Sequence, residues 1–182
     1  DLLGNAVLLF RRHPEVLDGY RRRFQHVLVD EYQDTNRVQN DLVMQLGAAH
    51  RNVCVVGDSD QSIYRFRGAD IRNILEFERT FPDATVVVLD QNYRSTQTIL
   101  DAANAVITKN PDRQPKELWT DVGPGDRIVR FRADDEVDEA RWVVEQLRSL
   151  HGEGRSWSDL AVFYRTNAQS RAIEEQLVRL GV

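Results

Sequence analysis

Apolar positions along the chain switch between two spacings. Leu2, Leu3, Val7, Leu8 and Phe10 recur at helical intervals and give way at His13-Pro14, so residues 1–23 read as mostly helical with a break there. "HVLVDE" (26–31) and "NVCVVGD" (52–58) are short β-branched runs stopped by acids, and each predicts a buried strand. Between them Val38, Leu42, Met44 and Leu46 predict a helix from Arg37 to Ala49. Asp70 is placed to cap a helix reaching Thr80, closed by Phe81-Pro82. "ATVVVLD" (84–90) predicts a third strand, and Ser95 is a fitting cap for a helix through Ile107.

Residues 110–125 hold Pro111, Pro115, Pro124, Gly123 and Gly125 and read as a connector. Beyond it the pattern repeats. "DRIVRFR" (126–132) predicts a strand, Asp134 to Leu150 a helix with acids in its first turn, and "LAVFYRT" (160–166) another strand. Asn167 then caps a last helix, with Gly181 beyond its end. Strands alternating with helices indicate an α/β fold with a mainly parallel sheet. Ligands of such sheets bind at the carboxyl ends of the strands. Three of these ends carry polar clusters: Asp30-Glu31, residues 57–61 and residues 90–94.

Composition narrows the setting. At 182 residues the chain makes one ordinary domain or two small ones, and 41% apolar residues suffice for a core. No apolar run approaches the ~20 residues of a membrane span. The net charge of −5 argues against a uniformly basic sleeve for nucleic acid, but leaves room for a local groove. Lys109 and Lys116 are the only lysines among 24 basic residues, and arginine suits planar phosphate recognition. Cys54 stands alone in an apolar run and reads as a small buried hydrophobe. With no signal-peptide pattern, a reducing cytoplasm is expected. His13, His26, His50 and His151 lack zinc-ligand spacing. The only methionine is Met44, and the chain stops as a helix ends, so it reads as a segment of a longer protein.

Each strand end has candidate chemistry beside a plainer reading. Asp30 can hold Mg²⁺ through water, and Glu31 can orient or deprotonate a water attacking a γ-phosphate. Gln61 can reach a phosphate, whereas Asp58 and Asp60 read as turn formers. Tyr64 and Phe66, alternating with Arg65 and Arg67, are either a stacking platform for single-stranded bases or core. Arg94 is either a phosphate ligand or a surface arginine before a helix. Trp142, on an amphipathic helix, reads as core.

Taken together, "VLVDEYQDTN" (27–36), "VVGDSDQSIYRFRGA" (55–69) and "LDQNYRST" (89–96) resemble, in order and spacing, three motifs of the superfamily-one UvrD/PcrA/Rep DNA helicases. "KELWT" (116–120) and "FYRTNAQSR" (163–171) resemble later elements. The resemblance implies an α/β fold made of parts of two RecA-like (P-loop NTPase) domains. These are residues 1–84, with about 1–22 returning from a helical insertion, and residues 85–182. It implies ATP-driven translocation on single-stranded DNA and unwinding at single-strand/duplex junctions, 3′ to 5′, in repair or replication. Asp30, with Glu31, would hold the Mg²⁺ of MgATP, and Glu31 would activate water. Gln61 would sense the γ-phosphate, Arg94 would be an arginine finger, and Tyr93 would stack near the adenine. Tyr64 and Phe66 would meet bases, Arg67 would link the nucleotide site to the DNA groove, and Arg165 and Asn167 would meet the DNA backbone.

Two departures accompany it. Many relatives carry Gly-Trp where this chain has Arg65-Phe66, a smaller stacking face with an added cation. The phosphate-cradling G-x-x-x-x-G-K-[ST] loop does not occur in these 182 residues. The segment alone is therefore expected neither to hydrolyse ATP nor to unwind DNA, and to need the remaining parts of its own full-length chain. Two rivals are a metal-dependent phosphohydrolase or nuclease using Asp30, Glu31, Asp34, Asp58 and Asp60, and a non-catalytic helicase-like module that binds DNA or a partner.

Overall fold

The computed structural model describes residues 1–111, 113 and 115–181. Residues 112 and 114 of the expected connector, and residue 182 at the end of the expected second domain, lie outside them. The chain forms two compact units, Asp1–Asp126 and Arg127–Val182. Residues 85–126, expected to open a second domain, are grouped with the first unit.

In that unit, α1 (Leu2–Arg12) and α2 (Pro14–Arg23) flank the expected break. Pro14 starts α2, where its missing N–H deprives the helix of nothing. Both helices pack on α3 (Arg37–Gly47), burying Val7, Phe10 and Leu17. A reciprocal cap starts α3: Asn36 Oδ1 accepts the Gln39 N–H at 3.0 Å, and Gln39 Oε1 accepts the Asn36 N–H at 2.8 Å.

β1 (Val27–Val29) and β2 (Val53–Val55) pair in parallel, Val27 opposite Val53 and Val29 opposite Val55, with α3 as the crossover. Only one face of this pair is covered. Leu28 is 77% exposed and its neighbour Cys54 is also exposed, which corrects the expectation of strands buried on both faces.

The other expected strands do not form among the described residues. Runs 84–90, 126–132 and 160–166 belong to no ladder, and Val86, Val87, Val88 and Leu89 are exposed. β-branched residues favour a strand only when a neighbouring strand takes up their N–H and C=O groups and covers their side chains. Past the third run, Gln91 makes a single parallel bridge with Trp119. The architecture is mixed helix with a small parallel sheet.

The expected helix from Asp70 to Thr80 is two short ones, α4 (Arg72–Leu75) and α5 (Phe77–Thr80), broken at Glu76. α6 (Gln97–Ile107) ends as expected but starts after Thr96, not Ser95, and buries Leu100. In the second unit, α7 (Glu136–Gly152) is capped by Asp135, whose Oδ1 accepts the N–H groups of Val137 and Asp138. It packs on α8 (Asn167–Arg179) around Ala140, Val144 and Gln176. Thr166, one residue before the expected Asn167, caps α8. Trp142 is half-buried and stacks on Phe131 at 4.6 Å, so it is only partly the core residue expected.

Leu100→Ala, removing a side chain only 3% exposed, is expected to destabilise the first unit by about 2–5 kcal/mol. Urea unfolding of the chain followed by circular dichroism measures it.

Candidate functional site

The parallel pair delivers residues 30–34 and 57–61 side by side. Beyond β1, Glu31 adopts a left-handed backbone (φ 50°, ψ 42°), which is uncommon for a residue with a side chain. Asp30 Oδ1 accepts the Glu31 N–H at 2.9 Å, and both carboxylates are exposed. The next N–H, of Tyr32, donates to Val56 O at 3.0 Å and ties this turn to the end of β2. Tyr32 is fully buried, edge-on to Phe77, and its hydroxyl donates to Asn40 Oδ1. Burial pushes the phenol pKa up to about 12, so it remains a neutral donor.

Gln33, which the sequence reading passed over, joins the two loops. It is 1% exposed. Its Nε2 donates to Glu31 Oε2 at 2.7 Å, and its Oε1 accepts the Asp58 N–H at 2.9 Å. Gly57 leaves room for this contact. A Cβ there would stand 2.5 Å from Gln33 Oε1 and 3.1 Å from the Tyr32 nitrogen, so glycine is needed for space.

Asp58 is a turn former, as read from sequence: its Oδ1 accepts the Asp60 N–H at 2.9 Å. Its Oδ2 also accepts Gln61 Nε2 at 2.9 Å, which folds the exposed Gln61 amide back onto its own loop. Two cations from the connector close over the pair. Arg113 donates Nε at 3.0 Å and Nη2 at 2.7 Å to the two oxygens of Asp60, and Lys116 pairs with Asp58. Both side chains of the Arg113–Asp60 pair are only 10% exposed. Burial works to raise the Asp58 pKa. Hydrogen bonds from Lys116, Gln61 and the Asp60 amide outweigh it and hold the carboxyl below its ordinary value. The hydrogen bond to Asp60 raises the Arg113 guanidinium further.

This clasp bears on the metal-hydrolase rival. Asp58 and Asp60 are already neutralised by cations, and among the described residues no three acids, histidines or cysteines gather as a metal cluster. Arg113 went unnoticed in the sequence. Two acids in a short loop demanding counter-charges were the available signal, but nothing in a sequence says which of 22 arginines answers.

Immediately downstream, Arg65–Arg67 form one 3₁₀ turn ended by Gly68 in the left-handed region (φ 88°). Tyr64 and Phe66 lie 6.0 Å apart on the surface, and Phe66 is 78% exposed, so the core reading of this pair does not hold. The Arg67 guanidinium sits 5.2 Å from the Tyr64 ring and 5.4 Å from the Phe66 ring. The turn is an aromatic face with a cation laid over it. Arg67 is thereby held to the rings, and among the described residues no carboxylate pairs with it.

In residues 90–96, Asn92 organises the turn: its Oδ1 accepts the N–H groups of Arg94 at 2.9 Å and Ser95 at 2.7 Å. Asn92, another residue the sequence reading missed, shapes the turn before α6, while the first N–H groups of that helix, of Gln97 and Thr98, donate to Gly123 O at 2.8 Å and Pro124 O at 3.1 Å. Arg94 is exposed without a carboxylate partner among the described residues, and Tyr93 is exposed with its hydroxyl on Gln91 Oε1 at 2.9 Å. In the second unit, Arg165 and Asn167 are both exposed at the start of α8, with the Arg165 N–H held by Gln169 Oε1 at 2.9 Å.

Residues 1–82 match the UvrD/REP helicase N-terminal domain, and residues 87–182 match the UvrD-like helicase C-terminal domain. The chain belongs to the UvrD/REP helicase family. It is 55% identical to the ATP-dependent DNA helicase PcrA of Bacillus subtilis, with all of the chain aligned. It is 53% identical, again over all of the chain, to the ATP-dependent DNA helicase UvrD1 of Mycobacterium tuberculosis. Over 98% of the chain it is 51% identical to PcrA of Staphylococcus aureus. The chain spans about a quarter of the length of these relatives, 25%, 25% and 24% in turn.

Two outcomes follow from the clasp. Gly57→Ala is expected to cost about 1–3 kcal/mol by overpacking against Gln33 and Tyr32, read by urea unfolding. Because the Asp58 carboxyl is depressed on folding, its stabilisation is complete above the ordinary value of about 3.9 and is lost as pH falls through the lowered one. Wild-type stability should therefore drop more steeply below about pH 4 than that of Asp58→Asn, in parallel urea titrations.

Proposed function

We propose that this chain is a segment of an ATP-dependent DNA helicase that couples ATP hydrolysis to movement on single-stranded DNA and to unwinding at single-strand/duplex junctions. One observation carries the reading. The carboxylate pair Asp30-Glu31 is bonded, through Gln33, to the loop bearing Gln61, and that loop runs straight into the exposed Tyr64–Phe66–Arg67 face. Hydrolytic chemistry and base stacking thus share one short stretch of backbone. The names of the relatives, each an ATP-dependent DNA helicase, support the same assignment.

In this reading the chain contributes parts of two RecA-like domains, residues 1–84 and 85–182, near the break between the two matched family regions at 82 and 87. Glu31 takes a proton from the water attacking the γ-phosphate, Gln61 contacts that phosphate, and Arg94 neutralises charge developing on it. Tyr93 stacks near the adenine. Tyr64 and Phe66 stack on bases, with Arg67 beside them at the link to the nucleotide site, while Arg165 and Asn167 meet the DNA backbone. Exposed Asp30 and Glu31 offer the hard oxygen donors Mg²⁺ prefers, and Asp30 has one carboxylate oxygen outside its bond to the Glu31 N–H. When bound, Mg²⁺ would neutralise phosphate charge. Movement is 3′ to 5′, in DNA repair or replication in the cytoplasm, and the segment by itself is inactive.

The test uses the full-length protein containing this segment. Glu31→Gln should lower DNA-stimulated ATP turnover about 10²–10⁴-fold while ATP still binds. Phe66→Ala should weaken single-stranded DNA binding by about 1–3 kcal/mol in fluorescence anisotropy and spare turnover without DNA. Undiminished turnover in the first variant, or unchanged DNA affinity in the second, would overturn the corresponding assignment.

A further inference from the structure

Glu31 has two carboxylate oxygens, and a base at this place works only if one of them is aimed at the water. Its own backbone gives little guidance, because it lies in the left-handed region beside an exposed turn. A residue with a side chain persists in that region when its surroundings hold it. Here one neighbouring bond runs from the Glu31 N–H to Asp30. The other holds the side chain itself: Gln33 Nε2 donates to Oε2 at 2.7 Å.

Gln33 is placed to direct Glu31. Buried at 1% exposure, its amide cannot swing out to water. The Asp58 N–H donates to Oε1 at 2.9 Å, so Oε1 must face Asp58 and Nε2 must face Glu31. The opposite flip would set a donor against the Asp58 N–H and the amide oxygen against a carboxylate. Gly57 supplies the space, since a Cβ there would displace Oε1. Asp58, in turn, is held by Lys116.

We propose that Gln33 is the positioning residue for Glu31, binding Oε2 so that Oε1 alone is presented to take the proton of the attacking water. This rests on the reading of Glu31 as the base. Gln33 itself touches neither water nor phosphate.

The experiment is a double-mutant cycle on DNA-stimulated ATP turnover in the full-length protein, with Gln33→Met, Glu31→Gln and the pair. Methionine keeps the length of the side chain and removes both the donor to Glu31 and the acceptor for the Asp58 N–H. Gln33→Met should lower kcat about 10–100-fold, with KM for ATP and affinity for single-stranded DNA within about twofold, as for a misaimed base. In the Glu31→Gln background it should cause no further loss, because a residue acting through Glu31 has nothing left to act on. A kcat within about twofold of wild type, or losses that multiply in the pair, would overturn the inference. If Glu31→Gln alone kept full turnover, the base assignment itself would fall, a separate result from failure at Gln33.

Gln33→Glu serves where the methionine variant does not fold. It keeps the acceptor for the Asp58 N–H and places a second carboxylate against Glu31. kcat should then fall about 10–100-fold with KM for ATP within about twofold, and fall no further in the Glu31→Gln background. A kcat within about twofold of wild type, or losses that multiply in the pair, would overturn the inference.

Discussion

Three rungs of parallel ladder, from Val27 opposite Val53 to Val29 opposite Val55, bring the carboxyl ends of two strands together. Parallel strands leave their sheet in the same direction, so both exit loops emerge at one edge. From that edge the polar architecture of the first unit follows. The Tyr32 N–H can reach Val56 O, the Gln33 amide can span from Glu31 to Asp58, and Asp58 can gather Gln61 and Lys116. An antiparallel pairing would have sent the two loops to opposite ends.

The site is knit by buried polar bonds more than by apolar packing. Tyr32 and Gln33 are two of the most buried side chains in the chain, yet each ends in a hydrogen-bonding group with a partner. A buried network of this kind selects one arrangement of its members, because a rotamer that breaks it strands a buried donor or acceptor. The Asp60–Arg113 pair shares that character. Such a pair adds little net stability over an apolar substitute, but removing one member leaves a charge without its partner. Its value is geometric: the connector and residues 58–61 are held in one register. On the surface the rule relaxes, and Phe66 and Arg94 stand free to meet a ligand.

Helix ends show how far sequence carries. α1 and α2 break where Pro14 requires, since a ring without an N–H suits only a first turn. At 95–97 and 166–167 the expected caps are displaced by one residue: the first N–H groups of α6 go to Gly123 O and Pro124 O, and the Thr166 N–H goes to Gln169 Oε1. The strand runs diverge more. Val86, Val87 and Val88 have the same chemistry as Val27 and Val29, yet no ladder forms around them. The difference lies in the neighbours, which a local pattern does not contain.

The sequence by itself determined most of the helices, the β1–β2 pair and the residue types at the ends of its apolar runs. Asp30, Glu31, Gln61, Tyr64, Phe66 and Arg94 could be singled out as candidates because acids, amides and aromatic–arginine alternations at the ends of apolar runs can do chemistry that the runs cannot. Only the tertiary structure decided which partners those groups keep. Gln33 looked like one polar residue among several in "EYQDTN", and Arg113 like one arginine among 22. Their roles arise from bonds to residues 25 and 53 positions away, reached through a strand crossover and a returning connector. Periodicity reports only what lies within a few residues along the chain, so contacts of that range are decided when the chain folds.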